Sequence, residues 1–224
     1  MTADRPVLRL RPKTDPRRIR RGFPWVYANE VVTDRRTRSI PAGTICRLED
    51  GERAPLATVA INPNSKIIAR VLDPSADAEV GAEWLRARIE RALALRVRLY
   101  DAPYYRLVHA EADGLPGVVV DRFGDTAVIQ PNAAWADVLL EPMVEALVDV
   151  TGVSMVVKSA SGRARSLEGL DDQSAVLRGE VSGPIEVPMN GAIYLADVEG
   201  GQKTGLFFDQ RPNHAFVARL ARDT

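Results

Sequence analysis

The sequence predicts an α+β fold in which a small β-rich lobe precedes a mixed α and β unit. Three observations carry this reading. Short segments rich in β-branched residues crowd positions 5–72. One long amphipathic segment follows at 82–99. Strand-like and helix-like segments then succeed one another until a last helix that starts around Asp209.

In the first lobe the strand candidates are VLRLR (7–11), GTICRLED (43–50), LATVAI (56–61) and KIIARVL (66–72), divided by turn signals at Glu49-Asp50-Gly51 and Asn62-Pro63-Asn64. A short helix is expected near Asp15, with Asp15 as its N-cap and Pro16 in its first turn. Strands this short predict a small barrel-like sheet. Asp73-Pro74-Ser75 breaks the pattern, and a domain boundary is placed there. In the helix predicted over 82–99, Leu85, Ile89, Ala92, Leu93 and Val97 form one apolar stripe. RLVHA (106–110), GVVVD (117–121) and TAVIQ (126–130) read as strands, the last two joined in a hairpin by Phe123-Gly124-Asp125. A helix over about 135–150, a strand at VSMVVK (153–158) and two strands near 185–188 and 191–197 complete the pattern.

The composition excludes several classes of protein. With 46% hydrophobic and 27% charged residues in 224, the chain can bury a core, and intrinsic disorder is ruled out. No apolar run approaches the roughly 18 residues of a membrane helix. The charged start MTADRPVLRLRPK has no apolar core of a secretory signal, so a soluble cytoplasmic protein without membrane partners is expected. The single cysteine, Cys46, can neither close an internal disulfide nor build a thiolate zinc cage. The net charge of zero conceals an asymmetry: residues 1–75 hold 15 Lys and Arg against 8 Asp and Glu, a net +7, and the remainder is net −7. A basic lobe joined to an acidic one is suited to meeting a polyanion with its basic side, although a plain solvated arginine surface gives the same pattern.

Four short patterns invite chemical readings. GGQKTG (200–205) is close to a phosphate-binding loop, but Gln202 stands where glycine must precede the lysine. His109, Glu111 and Asp113 alternate as strand metal ligands could; Gly114 follows at once, so acids capping a turn is the favoured reading, and no metal site is assigned. Cys46 sits mid-strand and is expected to be a buried small hydrophobe rather than a nucleophile. FFDQRPN (207–213) falls at a helix start, where free N–H groups and the Arg211 fork could hold an anionic group. A plain capped helix, with Asp209 as N-cap and Pro212 in the first turn, accounts for it equally well.

Three longer stretches carry a resemblance: RRIRRGFPWVYANEV (17–31), EADGLPGVVVDRFGD (111–125) and DVEGGQKTGLFFDQRPN (197–213). Together they resemble the PUA-domain-containing class I SAM-dependent methyltransferases that act on cytosine C5 of large-subunit ribosomal RNA. In KSASGRARSLEG (158–169), Arg165, Glu168 and Gly169 match that family, whereas Lys158 and Ala160 stand where members usually carry an arginine and an acid.

The resemblance implies a PUA-like β-barrel at 1–74, an α+β linking domain at 75–184, and at 185–224 the truncated start of a Rossmann-like methyltransferase domain. It implies an rRNA-processing transferase with S-adenosyl-L-methionine as cofactor and ribosomal RNA as partner; a homodimer stays open. RNA contact is expected at Lys13, Arg17, Arg18, Arg20, Arg21 and Trp25, with Trp25 either stacking on a base or packing in the core. Phe208, Asp209, Gln210, Arg211 and Asn213 are expected to line the cofactor and base pocket. Family members continue into a glycine-rich loop, an Asp-Pro-Pro motif and a catalytic cysteine. None of these is present in the 224 residues, so no catalytic residue is assigned and these residues alone are expected to transfer no methyl group. The alternative is a stand-alone, non-catalytic RNA-binding module.

Overall fold

The computed structural model describes residues 5–180, 182–201 and 204–221. Gln202, on which the phosphate-loop comparison turned, lies outside the described residues.

The first lobe contains, in order, β1 (Val7–Arg9), α1 (Arg17–Arg20), β2 (Trp25–Val26), α2 (Arg35–Ser39), β3 (Ile45–Glu49), β4 (Pro55–Ile61) and β5 (Ala69–Asp73). Its sheet has the order β1-β3-β4-β5-β2, with β1 parallel to β3 and the other pairs antiparallel. The chain leaving β2 returns to the free edge of β1: Leu10 bridges Val31, and the Val32 N–H donates to the Arg9 carbonyl at 2.9 Å. That return pairs the open edge and curls the sheet around Leu8, Val26, Cys46, Leu48, Val59 and Ile68, all buried.

The rest comprises α3 (Ala82–Leu99), β6 (Tyr104–His109), β7 (Val118–Phe123), β8 (Thr126–Pro131), α4 (Ala134–Val138), α5 (Leu140–Thr151), β9 (Met155–Lys158), α6 (Arg163–Glu168), β10 (Ala175–Arg178), β11 (Ile185–Met189), β12 (Ala192–Ala196) and α7 (Arg211–Leu220). A central sheet of order β10-β9-β8-β7-β6 is antiparallel except at β8 and β9, which run parallel and are joined through α4 and α5. One face packs under α3 and α5, with Leu85, Ile89, Val120, Ile129, Met143 and Leu147 in contact. The other face presents Phe123, Val128 and Val157 to the β11–β12 hairpin and Phe208. Alternation along each strand divides the two layers: Ala127 and Ile129 point one way, Val128 the other.

The two lobes meet closely. Gly43 in the first lobe has φ +87°, and a Cβ there would sit 2.9 Å from the Ala134 carbonyl oxygen of α4. Glycine is the residue that permits both the backbone angle and the approach. At the expected boundary, Asp73 accepts hydrogen bonds from Ser75 N–H at 2.9 Å, Trp84 Nε1 at 3.1 Å and Arg88 at 2.8 Å. Those bonds tie the end of β5 to the first turns of α3.

Several expectations are corrected. Pro16, not Asp15, occupies the N-cap position of α1; the Asp15 carboxylate still takes the Arg17 N–H at 2.9 Å. The stripe of α3 ends differently: Val97 is 60% exposed, and Arg96 is buried in its place because Asp113 neutralises it. The helix expected at 135–150 is split at Leu139 into α4 and α5. Asp209 caps nothing: a 3-10 turn covers Phe208–Gln210, and α7 begins at Arg211 with Gln210 before it. His109, Glu111 and Asp113 do not share a strand face, since Ala110–Asp113 is a 3-10 turn. Residues 185–220 contribute a two-stranded hairpin, a 3-10 turn and a helix.

Candidate nucleic-acid interface

The arginine run of α1 sits on the outer surface of the first lobe, and its members differ sharply in what they touch. The Arg18 guanidinium donates to Glu30 at 2.6 Å and to the Trp25 carbonyl at 3.3 Å, and lies 4.4 Å from the Phe23 ring centroid. Glu30 also accepts the Tyr27 N–H at 2.8 Å, so Arg18 fastens α1 to the turn after β2. Arg20 pairs with Asp50 at 3.2 Å. The Asp50 carboxyl is held below the usual carboxylate range, chiefly by the Ala54 N–H, with Glu52 N–H and Arg20 adding to it. Arg17 is 3.8 Å from Asp15 in a well-exposed pair, and Lys13 and Arg21 are exposed with no ion pair among the described residues. Arg17, Arg18 and Arg21 line a shallow groove with Gly22, Phe23 and Pro24.

Trp25 is half-buried, neither a core residue nor an unattached ring. It meets Phe23 edge to face at 6.1 Å, and its Nε1–H donates to Glu111 at 2.9 Å across the lobe boundary. That contact opens a polar bridge that sequence reasoning missed. Arg70 of β5 donates to Glu111 at 3.4 Å and to Glu168 at 3.0 Å. Glu168, at the end of α6 and 7% exposed, also accepts from Asn62 Nδ2 and Ser65 Oγ, each at 3.0 Å. Every donor belongs to the first lobe and every acceptor to the second. Arg165 fixes the position of α6: it is 1% exposed and donates to the Pro131 carbonyl at 2.6 Å, Asp137 at 2.8 Å and the Asp171 carbonyl at 2.7 Å. In the sequence, Asn62 and Ser65 read as turn residues, and nothing local marks Glu168 as their partner.

The segment at 208–213 is an anchor. Phe208 is buried, 5.0 Å from Phe123 between ring centroids. Arg211 donates to the Tyr104 carbonyl at 2.5 Å and lies 4.8 Å over the Tyr100 ring; burial lowers its pKa from the ordinary value. Asn213 donates to Gln210 Oε1 at 2.8 Å, and Asp209 is exposed. Phe208 and Arg211 therefore both pack against the sheet, whereas Asp209 is exposed and Gln210 and Asn213 bond to each other. Before them, Gly201 approaches so closely that a Cβ would lie 2.1 Å from the Asp197 carbonyl oxygen. Thr204 Oγ1 then donates at 2.6 Å to Asp121, which is fully buried and also paired with Arg106. Glycines that look phosphate-binding here serve a tight turn docked onto the central sheet.

Two other readings resolve. Cys46 is fully buried, and burial pushes its thiol up to about 12, which removes it as a nucleophile. Asp113 is a structural anchor, bound to Arg96 at 2.6 and 2.8 Å and to the His109 N–H at 2.6 Å. Among the described residues no group of three or more metal-ligating side chains forms, and no helix is long and apolar enough to cross a membrane.

Comparison with known proteins bears on both lobes. A family profile for PUA-like domains matches residues 8–74, the span of the curled first sheet. Ribosomal RNA large subunit methyltransferase I of Alteromonas mediterranea is 32% identical over 217 residues, covering 96% of this chain and 54% of that protein. The protein of the same name from Vibrio cholerae is 32% identical over 197 residues, covering 86% and 49%. Among solved structures, a candidate SAM-dependent methyltransferase from Streptococcus mutans superposes with TM-score 0.79 at 17% identity, covering 96% of this chain and 55% of that one. A candidate methyltransferase complexed with SAH gives TM-score 0.75 at 16% identity, covering 94% and 52%. The chain spans about half the length of the curated relatives it matches. Residues 8–74 match the profile of PUA-like domains, and the chain is similar, over nearly its whole length, to about half of ribosomal RNA large subunit methyltransferase I.

Proposed function

We propose that this chain supplies the RNA-recognition and linking units, 1–74 and 75–184, of a cytoplasmic SAM-dependent methyltransferase acting on cytosine C5 of large-subunit ribosomal RNA, with 185–224 as the lead-in to methyl transfer. The observation that carries the reading is the 32% identity that runs through 96% of the chain, across the PUA-like domain and the central sheet alike. In this reading Lys13, Arg17 and Arg21 meet phosphates, because their charges are exposed and nearly unopposed. Arg18 and Arg20 hold α1 in shape through Glu30 and Asp50. The Glu168–Arg70–Glu111–Trp25 bridge fixes the angle at which RNA held by the first lobe is presented to the rest.

S-adenosyl-L-methionine would supply an electrophilic methyl group. The 208–213 segment does not form a cradle for it, with Phe208 in the core and Arg211 spent on Tyr104. A non-catalytic RNA-binding role is the second reading, which the exposed charges of Lys13, Arg17 and Arg21 serve equally well. Deleting the gene and mapping 5-methylcytosine in large-subunit rRNA by mass spectrometry separates the two. Loss of one site, restored by the intact gene, supports methyl transfer. An unchanged methylation map with retained RNA binding by the purified protein leaves the binding module.

A further inference from the structure

We propose that Asp121 is a positioning residue for methyl transfer: from inside the central sheet it holds Thr204, and through Thr204 it sets where the 204–211 segment and α7 leave the sheet. This deepens the proposed function and rests on it. Asp121 lies in β7 and is fully buried, on the face that also carries Phe123. Arg106, its register partner on β6, donates to both carboxylate oxygens, at 2.9 and 3.1 Å. Stability alone does not account for such a pair, because a well-packed apolar pair often serves as well as a buried ionic one.

The third partner supplies the reason. Thr204 is fully buried, and its hydroxyl donates to Asp121 at 2.6 Å from 83 residues further along the chain. A hydroxyl bonded to a carboxylate out of water is among the strong hydrogen bonds. The turn on which Thr204 stands has little freedom of its own. Gly201 donates its N–H to the Asp197 carbonyl at 3.1 Å, and Gly205, at φ +99°, comes so near that a Cβ would lie 2.6 Å from the same oxygen. Beyond it Leu206 and Phe208 enter the apolar layer over the sheet, and Arg211 donates to the Tyr104 carbonyl two residues before Arg106 on β6. Burial works against the Arg106 charge, but Asp121, with Asp209 adding from outside, holds its pKa above the ordinary value. The acid of the 208–213 segment is thereby drawn toward the pair that holds Thr204.

The test compares Thr204→Val, which keeps the shape and removes the hydroxyl, with Thr204→Ser, which restores it. In the purified full chain, amide exchange within 204–211, read by mass spectrometry, is expected to quicken roughly ten- to a hundredfold in Thr204→Val, the range for one lost hydrogen bond to a charged group. Amides of β7 and β8 keep their rates, and Thr204→Ser returns the segment to the unaltered rate. In cells, the gene carrying Thr204→Val is expected to lower 5-methylcytosine at the site that the intact gene restores, with RNA affinity of the purified variant unchanged; Thr204→Ser brings the methylation back. Unchanged exchange at 204–211 overturns the proposal, as does equal quickening throughout the sheet, which makes Thr204 a matter of general stability. Quickened exchange with full methylation overturns the positioning role and leaves the proposed function standing. An intact gene that restores no methylation overturns both.

Discussion

The two arginine-rich turns of the first lobe, α1 and α2, look alike in sequence and differ in what their charges are free to do. RRIR carries two arginines locked to Glu30 and Asp50, and Ile19 is its buried foothold. RRTRS has no buried apolar residue; its foothold is Thr37, held by Asp34 and by donation to the Val32 carbonyl at 3.2 Å. Packing α1 against the lobe brought its arginines to carboxylates, whereas α2 stands on a threonine and leaves its arginines in solvent. A run of positive residues therefore does not reveal how much positive field a surface presents. Where the chain folds carboxylates against it, the same residues become struts.

That contrast extends inward, and it can be broken by measuring what each class of arginine contributes. The largest effect is expected at Asp113→Ala, which strands the Arg96 guanidinium, with side chains only 11% and 8% exposed in the pair. Breaking a buried pair from one side costs about 3–5 kcal/mol, read as the shift in urea unfolding free energy. A loss under about 1 kcal/mol would mean that Arg96 finds solvent and the strut description fails. Glu168→Gln keeps the shape of the bridge and removes its charge. About 2 kcal/mol is expected from weakened bonds to Arg70, Asn62 and Ser65, with faster proteolysis at the lobe boundary. The smallest effect belongs to Arg38→Ala in α2, within about 0.5 kcal/mol of the unaltered protein by the same unfolding measurement. A larger cost there would show that α2 is itself a strut.

How much of this was legible depended on length and periodicity. The helix at 82–99 runs 18 residues, so its apolar rows declare it; even so, the row ends at Arg96 rather than Val97, because a salt partner from Ala110–Asp113 outweighs a valine. β3, β4, β7 and β8 are rich in apolar residues and fell close to expectation. α2, α6 and β10 were not foreseen. Their segments RRTRS, RARSLE and AVLR are too short or too polar to carry a period, and they exist because Asp34, Arg165 and pairing with β9 hold them. Of the candidate site residues, the α1 arginines were legible as charge but not as paired or free. The role of Phe208 and Arg211 as anchors required knowing that Phe123 and Tyr104 come from the same sheet.

By itself the sequence determined the order of the longer strands and helices, the uneven charge of its two parts, the burial of Cys46, and the long motifs that tie it to relatives. These are properties of neighbours along the chain, where hydrophobic period and turn chemistry act locally. Only the tertiary structure decided which charges are neutralised and how the lobes are joined. Glu168 meets Asn62, Ser65 and Arg70 across about a hundred residues, and Asp121 meets Thr204 across 83. Whether an arginine becomes a strut or an open cation depends on a carboxylate brought from far away, and in a low-dielectric boundary that meeting outweighs any local preference of either residue.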